Sequence, residues 1–206
     1  MDLLLATRNV NKTREFAQIL GSDFRITDLS NLENCLELEE SGRTFGENAS
    51  LKALTVSQSV DRTGLVVADD SGLEVDALGG APGIFSARYA GDTASDRENI
   101  DKLLVELSSR RAPSKERSAR FRCVIALAQG GKILGTFEGA VEGMIVEHPR
   151  GDSGFGYDPI FLPDGLNKTF GELSAEAKNK ISHRGKALSA LREFLRERET
   201  NRDSED

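Results

Sequence analysis

Two adjacent glycines, Gly130 and Gly131, stand between two strand-like segments, and this arrangement constrains the fold more than any other feature of the chain. Upstream of them, Phe121, Cys123, Ile125 and Leu127 alternate with Arg122, Val124 and Ala126, the period-two pattern of a strand. Downstream stands Lys132-Ile133-Leu134. A Gly-Gly pair in that position is a two-residue hairpin signal, because such turns need positive φ at their central residues. The middle of the chain is therefore expected to be antiparallel. The front reads differently: Leu3-Leu4-Leu5-Ala6 and Leu65-Val66-Val67-Ala68 are continuous apolar runs suited to buried strands, with helical patterns between them. Strand–helix alternation followed by a hairpin predicts an α/β protein built on a mixed sheet.

The remaining elements follow from local signals. Phe16, Ile19 and Leu20 share one side of a helix that Gly21 is placed to end. A second strand is expected near Phe24 to Thr27, and a half-buried one where Leu36 and Leu38 alternate with Glu37 and Glu39. Thr44-Phe45-Gly46-Glu47 has the spacing of a capping box and opens a helix over Asn48 to Val60. The strand at Leu65 is expected to stop at Asp69-Asp70-Ser71-Gly72, with a separate strand at Leu73, Val75 and Ala77. Gly79 to Gly83 is too irregular for either element. A second capping box, Ser95 to Glu98, opens a helix through Leu103, Leu104 and Leu107. His148 to Gly171 reads as a long irregular segment, followed by a last helix carrying Leu188, Leu191 and Leu195. With no repeat and no linker, residues 1–195 are expected to form one domain, and the polar residues 196–206 a frayed tail.

A chain of 206 residues can bury a substantial core without staples. Cys35 and Cys123 are too few for a disulfide framework or a zinc cluster, which fits a reducing compartment. The apolar run after Met1-Asp2 is shorter than a signal-peptide core, and no stretch approaches bilayer length. These features lead us to expect a cytoplasmic protein with no membrane partner. The net charge of −7 opposes broad binding to nucleic acid, whose backbone repels an acidic surface. It leaves room for an anionic small molecule at a local cluster of basic groups.

Four regions have the residue types for such a site. Thr7, Arg8, Asn9, Val10, Asn11 and Lys12 form a polar loop between a buried strand and a helix start, where amides and dipole favour phosphate; a plain capped turn is the alternative. Asp69-Asp70-Ser71 follows an apolar strand, where ligands of open α/β sheets commonly bind. Two adjacent carboxylates there suit Mg²⁺, although an Asp-Ser-Gly turn needs no metal. Glu39-Glu40 is another source of carboxylate or a solvated strand end, and Lys52 a phosphate partner or a surface lysine. Phe155, Gly156, Tyr157 and Asp158 offer an aromatic face, close backbone approach and a carboxylate, or simply an anchored loop. Lys178, His183 and Arg184 offer cations for phosphate and donors for a purine, or a basic turn before a helix. The Asp pair also brings haloacid-type phosphatases to mind, but that chemistry usually separates its two aspartates by one residue.

Taken in order, Thr7-Arg8-Asn9-Val10-Asn11-Lys12, Thr44-Phe45-Gly46-Glu47-Asn48-Ala49, Ala68-Asp69-Asp70-Ser71-Gly72-Leu73, the stretch from Gly79 to Gly91, Gly154-Phe155-Gly156-Tyr157-Asp158-Pro159 and Ile181-Ser182-His183-Arg184-Gly185 strongly resemble the inosine triphosphate pyrophosphatase family, also described as XTP/dITP diphosphatases. The likeness runs from about Leu3 to Leu195. It implies a long mixed sheet flanked by helices, two lobes with a nucleotide cleft between them, a homodimer and a requirement for Mg²⁺. It also implies hydrolysis of ITP, dITP and XTP to monophosphate and pyrophosphate, which cleanses the nucleotide pool of deaminated purines. By motif position, Thr7 through Lys12 bind substrate, Asp70 is proton acceptor and metal ligand, and Ser71 touches substrate. Phe155 through Asp158, Lys178, His183 and Arg184 complete the base and phosphate pocket. The family loop often has Gly where Arg8 and Asn11 stand. Of the adjacent Glu39 and Glu40, the spacing to Gly42 favours Glu40 as second metal ligand.

These roles assemble into in-line attack of water on the α-phosphorus. Asp70 accepts the proton, Glu40 and Asp70 hold Mg²⁺, Asp69 orients the metal site, and Lys12, Lys52 and Lys178 neutralise the triphosphate. Selectivity is expected at purine position 6, an acceptor oxygen in inosine and xanthosine and a donor amino group in adenosine. A donor from His183 or Arg184 would be left facing a donor with ATP. Steady-state kinetics should therefore give a higher kcat/KM for ITP than for ATP; equal values would overturn this form of base reading.

Overall fold

The computed structural model describes residues 1–31, 41–110 and 116–203. Its strands are β1 (Asp2–Leu5), β2 (Arg25–Asp28), β3 (Leu65–Val75), β4 (Ser118–Gln129), β5 (Lys132–Ile145) and β6 (Phe161–Pro163). They form one sheet in the order β2-β1-β3-β4-β5-β6. Strand β1 pairs in parallel with both β2 and β3, Leu4 lying beside Thr27 on one side and Val66 on the other. Gly130 and Gly131, at φ 56° and 77°, reverse the chain from β4 into β5, which then pairs antiparallel with β6. The expected mixed α/β sheet is what forms.

The helices are α1 (Val10–Leu20), α2 (Phe45–Ser59), α3 (Asp96–Ser109), α4 (Ala175–Ile181) and α5 (His183–Asp203). Both capping signals locate helix starts. Ser95 and Glu98 exchange bonds in a full capping box. At α2 the Thr44 hydroxyl accepts from Glu47 N (3.1 Å), while the Glu47 carboxylate takes Arg43 N (2.6 Å) instead of the cap residue.

The chain divides into two compact units, built from Met1–Asp70, Cys123–Gly139 and Arg184–Asp206, and from Ser71–Arg122 and Ala140–His183. Strands β3, β4 and β5 contribute residues to both. The core of the first unit gathers Leu3, Leu5, Phe16, Leu20, Val67, Cys123, Ile125, Leu127, Leu188, Leu191 and Leu195. Side chains two apart on a strand share a face, so Val67 of β3 and the odd-numbered residues 123–127 of β4 present one face to α1 and α5. The core of the second unit packs Leu73 and Val75 with Ile100, Leu103 and Leu107 of α3 and the rings of Phe121, Phe161 and Phe170.

Three expectations need correction, and one helix had no counterpart in the sequence reading. The break at Asp69–Gly72 is absent: β3 is one strand through Val75, and Gly72 has no positive φ. Asp-Ser-Gly favours a turn locally, and ladder pairing overrides that preference here. The segment from His148 to Gly171 is not wholly irregular, since β6 lies within it. Helix α4, capped by Ser174, went unread because seven residues are too few for a clear helical period. The last helix continues beyond Leu195 to Asp203, and Arg198 donates to Gln129 Oε1 (2.7 Å), so residues 196–203 are not a frayed tail. The strand expected at Leu36 and Leu38 lies outside the described residues, as does Cys35. No helix among the described residues is long and apolar enough to cross a membrane.

Burial, reinforced by the nearby Asp69 carboxylate, pushes the Cys123 thiol up to about 12. The thiol therefore stays neutral and inaccessible in the folded protein. Iodoacetamide at pH 8 should leave Cys123 unmodified until denaturant is added, as mapped by peptide mass spectrometry; rapid labelling without denaturant would contradict this core assignment.

Candidate functional site

In the first unit, charged side chains from three helices meet β3. Asp69 and Asp70 are adjacent on a strand, so they point to opposite faces of the sheet. Asp69 faces α1 and α5, as does Val67 two residues earlier. Its carboxylate lies 3.0 Å from Lys12 Nζ and accepts from Arg184 Nη2 (3.0 Å) and Nε (3.3 Å). Arg184 Nη1 donates to Glu15 of α1. Asp69 and Arg184 are both 2% exposed. Burial pushes the Asp69 carboxyl up, but Lys12, Arg184 and Lys52 together outweigh it and hold the group well below the usual carboxylate range. Burial likewise works against the Arg184 charge, and Asp69 and Glu15 more than restore it.

Asp70 faces α2. Its Oδ1 accepts from Lys52 Nζ (3.1 Å) and its Oδ2 from Asn48 Nδ2 (3.1 Å). Asn48 and Lys52 are four residues apart, one helical turn on the same face. Asn48 Oδ1 in turn accepts from Gly42 N (2.8 Å). An ionised carboxylate has about four lone-pair sites, and these two donors engage one at each oxygen.

The loop into α1 is already internally bonded. Asn9 caps the helix, its Oδ1 accepting from Asn11 N (3.0 Å) and Lys12 N (3.3 Å), while Thr7 Oγ1 accepts from Asn9 N (3.1 Å). Amides that the sequence suggested were open to an anion are thus held by the loop itself. The helix dipole and the Lys12 ammonium remain as its electrostatic attraction for phosphate. Arg8, Asn9 and Val10 are exposed, and Thr7 and Asn11 half-buried.

The second unit holds the Phe155–Asp158 group. Asp158 Oδ2 accepts from Phe155 N (2.9 Å) and Lys178 Nζ (2.6 Å), and both charged residues are buried. A Cβ on Gly154 would lie 2.0 Å from that same oxygen, so only glycine lets the carboxylate sit there. Lys178 Nζ also stands 4.9 Å from the Phe155 ring centre and 5.7 Å from that of Phe170, within cation–π range. Gly156 N donates to Asp96 (2.6 Å), at the start of α3. Tyr157 is buried and its hydroxyl donates to Ser86 O (2.9 Å), while burial pushes its pKa up. The His183 ring stacks on Phe121 at 4.7 Å, and Ser71 is half-buried on β3 beside Asp70.

Each unit therefore brings some expected residues together: in the first, Lys12, Asp69 and Arg184 on one face of β3 and Lys52 and Asp70 on the other; in the second, Phe155, Gly156, Asp158 and Lys178. Glu39 and Glu40 lie outside the described residues. Among the described ones, no three His, Cys, Asp or Glu side chains form a metal cluster. Asp70 supplies a hard carboxylate donor, which suits Mg²⁺, an ion that takes one or two carboxylates and completes its shell with water and phosphate oxygens. Sequence reasoning missed Glu15, Asn48 and Asp96 as partners. For Asn48 a signal existed in its four-residue spacing from Lys52; the other two look like ordinary helix-surface acids.

Known proteins resemble this chain over nearly its whole length. The model of the Ham1 family matches residues 3–194. The chain is 50% identical to the dITP/XTP pyrophosphatase of Geobacter sulfurreducens over 195 residues, 94% of this chain and 96% of that one. It is 47% identical to the protein of the same description from Bacillus licheniformis, covering 94% of this chain and 97% of the other. The solved structure of the Staphylococcus aureus Ham1 protein aligns with a TM-score of 0.83 at 41% identity, covering 96% of this chain and all of that one.

The Asp69 cluster makes a stability prediction. Removing one partner of a buried ion pair leaves a desolvated charge and typically costs about 3–5 kcal/mol. Asp69→Asn should lower the unfolding free energy in urea by that order; a loss below about 1 kcal/mol, the level of an exposed pair, would show that the cluster is solvated.

Proposed function

Because the chain belongs to the Ham1 family, we propose that it is a nucleoside triphosphate pyrophosphatase acting on dITP, XTP and ITP, with Mg²⁺ as cofactor. The observation that carries this reading is the Asp70 carboxylate, buried on β3 and held at separate oxygens by Lys52 and Asn48. A carboxylate fixed in this way is suited to receive a proton at a defined point.

In the proposed reaction a water oxygen bonds to the α-phosphorus, the bond to the bridging oxygen breaks, and pyrophosphate leaves. Asp70 takes the proton from the attacking water. Lys12 and Lys52 oppose the negative charge of the triphosphate, with the Thr7–Lys12 loop placing the phosphates at the α1 terminus. Asp70 and Glu40 would hold the magnesium ion, which when bound supplies positive charge to the phosphate oxygens. Asp69 keeps Lys12 and Arg184 in place beside the strand. For the base we retain Phe155 for stacking, Ser71 and the Gly156 backbone for close contact, and His183 for the position-6 oxygen. With Lys12 paired to Asp69, Lys52 to Asp70, Lys178 to Asp158 and Arg184 to Asp69 and Glu15, these cations act on substrate as parts of ion pairs, and Tyr157 anchors the loop through Ser86.

We further read the protein as a cytoplasmic homodimer that works on free nucleotides, with neither nucleic acid nor membrane as partner. The family resemblance and the net charge of −7 support this reading; light scattering at twice the chain mass would be its signature.

The test is a substrate panel of dITP, XTP, ITP, GTP and ATP, scoring monophosphate and pyrophosphate together. The first three should be cleaved in preference to the last two, EDTA should abolish turnover and Mg²⁺ restore it. Asp70→Asn should lower kcat by about 100-fold or more, the usual contribution of a positioned general base. Release of inorganic phosphate alone, binding without turnover, or an Asp70→Asn variant with the parent's kcat would each refute the proposal.

A further inference from the structure

We propose that Asn48 is a positioning residue that orients the Asp70 carboxylate and couples it to the backbone at Gly42. The catalytic half of this inference rests on the functional reading above; the structural half does not.

Asn48 is completely buried, and its carboxamide is used at both ends. The orientation of the amide is dictated by its partners. Gly42 N–H can only donate, so it takes the carbonyl end at 2.8 Å; the Asp70 carboxylate, when ionised, can only accept, so it takes the NH₂ end at 3.1 Å. Few side chains present an acceptor and a donor from one rigid planar group, and only asparagine does so at this length. The backbone at position 42 is matched to the same bond. A Cβ there would lie 2.6 Å from Asn48 Oδ1 and 2.8 Å from Glu47 Cβ, so any residue but glycine pushes the acceptor away.

Asn48 is not needed to start the helix. Thr44 caps α2 at Glu47 N, and the Glu47 side chain holds Arg43 N. Lys52 supplies the opposing charge to the other oxygen of Asp70. What remains for Asn48 is the direction of the carboxylate plane. Lys52 bonds one oxygen, whereas Asn48 bonds the second and ties it to a backbone point outside the helix.

The experiment uses the full chain with Asn48→Leu, Asn48→Asp and Gly42→Ala, reading both steady-state kinetics and amide hydrogen exchange of the protein without metal or nucleotide. Asn48→Leu should speed exchange at the Gly42 amide while α2 stays protected, and should lower kcat on the order of 100-fold, as misplacement of a reacting group does, with KM little changed. Asn48→Asp keeps an acceptor for Gly42, so exchange there should stay slow while kcat falls. Gly42→Ala strikes the same bond from the other side and serves if Asn48→Leu does not fold; combined with Asn48→Asp it should show non-additive loss. Unchanged kcat in Asn48→Leu alongside an inactive Asp70→Asn overturns the positioning role alone. Unchanged kcat in Asp70→Asn instead sinks the functional reading, and Gly42 exchange still decides the coupling: slow exchange in Asn48→Leu refutes it.

Discussion

The burial of one negative charge, the Asp69 carboxylate, shapes the first unit more than any other interaction. An isolated carboxylate cannot be taken out of water at that depth without opposing charge. Lys12 and Arg184 supply it, and Glu15 closes the circuit on the far side of the guanidinium. These partners come from helices near the two ends of the chain, Arg184 being 115 residues from Asp69. The carboxylate therefore does what an apolar contact would do less selectively: it fixes where α1 and α5 sit along β3. Buried ion pairs are a poor source of net stability compared with well-packed apolar groups. Their value here is geometric, because a slipped helix would leave a buried charge unmatched.

Strand geometry then separates two neighbouring acids into different tasks. Placed in a turn, Asp69 and Asp70 would crowd and repel, and a cation would be needed to hold them together. Placed on a continuous strand, they diverge to opposite faces. One becomes locked among cations over the α1 and α5 face, the other stands toward Asn48 and Lys52 of α2. The same alternation that puts Val67 and Asp69 with the core of one face puts Val66, Ala68 and Asp70 on the other. A shift of one residue in the β1–β3 pairing would exchange the two acids and leave both wrongly partnered.

Much of this was legible in the chain. The Gly130-Gly131 reversal, the apolar runs of β1 and β3, and the caps at Thr44 and Ser95 are local signals with local causes, and each produced the element it announced. Three kinds of information were not local. Ser71 and Gly72 carry turn propensity, but their conformation is set by pairing along a strand that continues past them. Helix α4 spans too little sequence to reveal a period. The partners of Asp69 and Asp158 are chosen by the three-dimensional path of the chain: nothing in the residues around Lys178 says that its ammonium will meet Asp158, 20 residues earlier. Candidate residues were thus easier to recognise by type than by role, and Arg184, Lys178 and Tyr157 are more deeply engaged with the protein than a reading of exposed binding groups would suggest.

A common physical device links the two groups of residues, each considered in its own unit. Asp158 binds a lysine and a backbone amide, and so fixes the turn that begins at Gly154; Asp70 binds a lysine and a carboxamide that itself holds a backbone amide. In both cases a carboxylate is held by at least two donors and does not rely on a single flexible cation. The Asp70 carboxylate, secured at two oxygens, cannot rotate without breaking a bond, so its lone pairs point in set directions before any ligand arrives. That matters for phosphate chemistry, in which there is little covalent work for a protein to do and rate comes from charges already aimed at the reacting atoms. Reorganisation that would otherwise occur during the reaction is completed during folding instead. A strand is a better platform for this than a loop, since its backbone is held on both edges by neighbouring strands. The price is that the acidic groups must be buried to be rigid, and must be given cations to be buried.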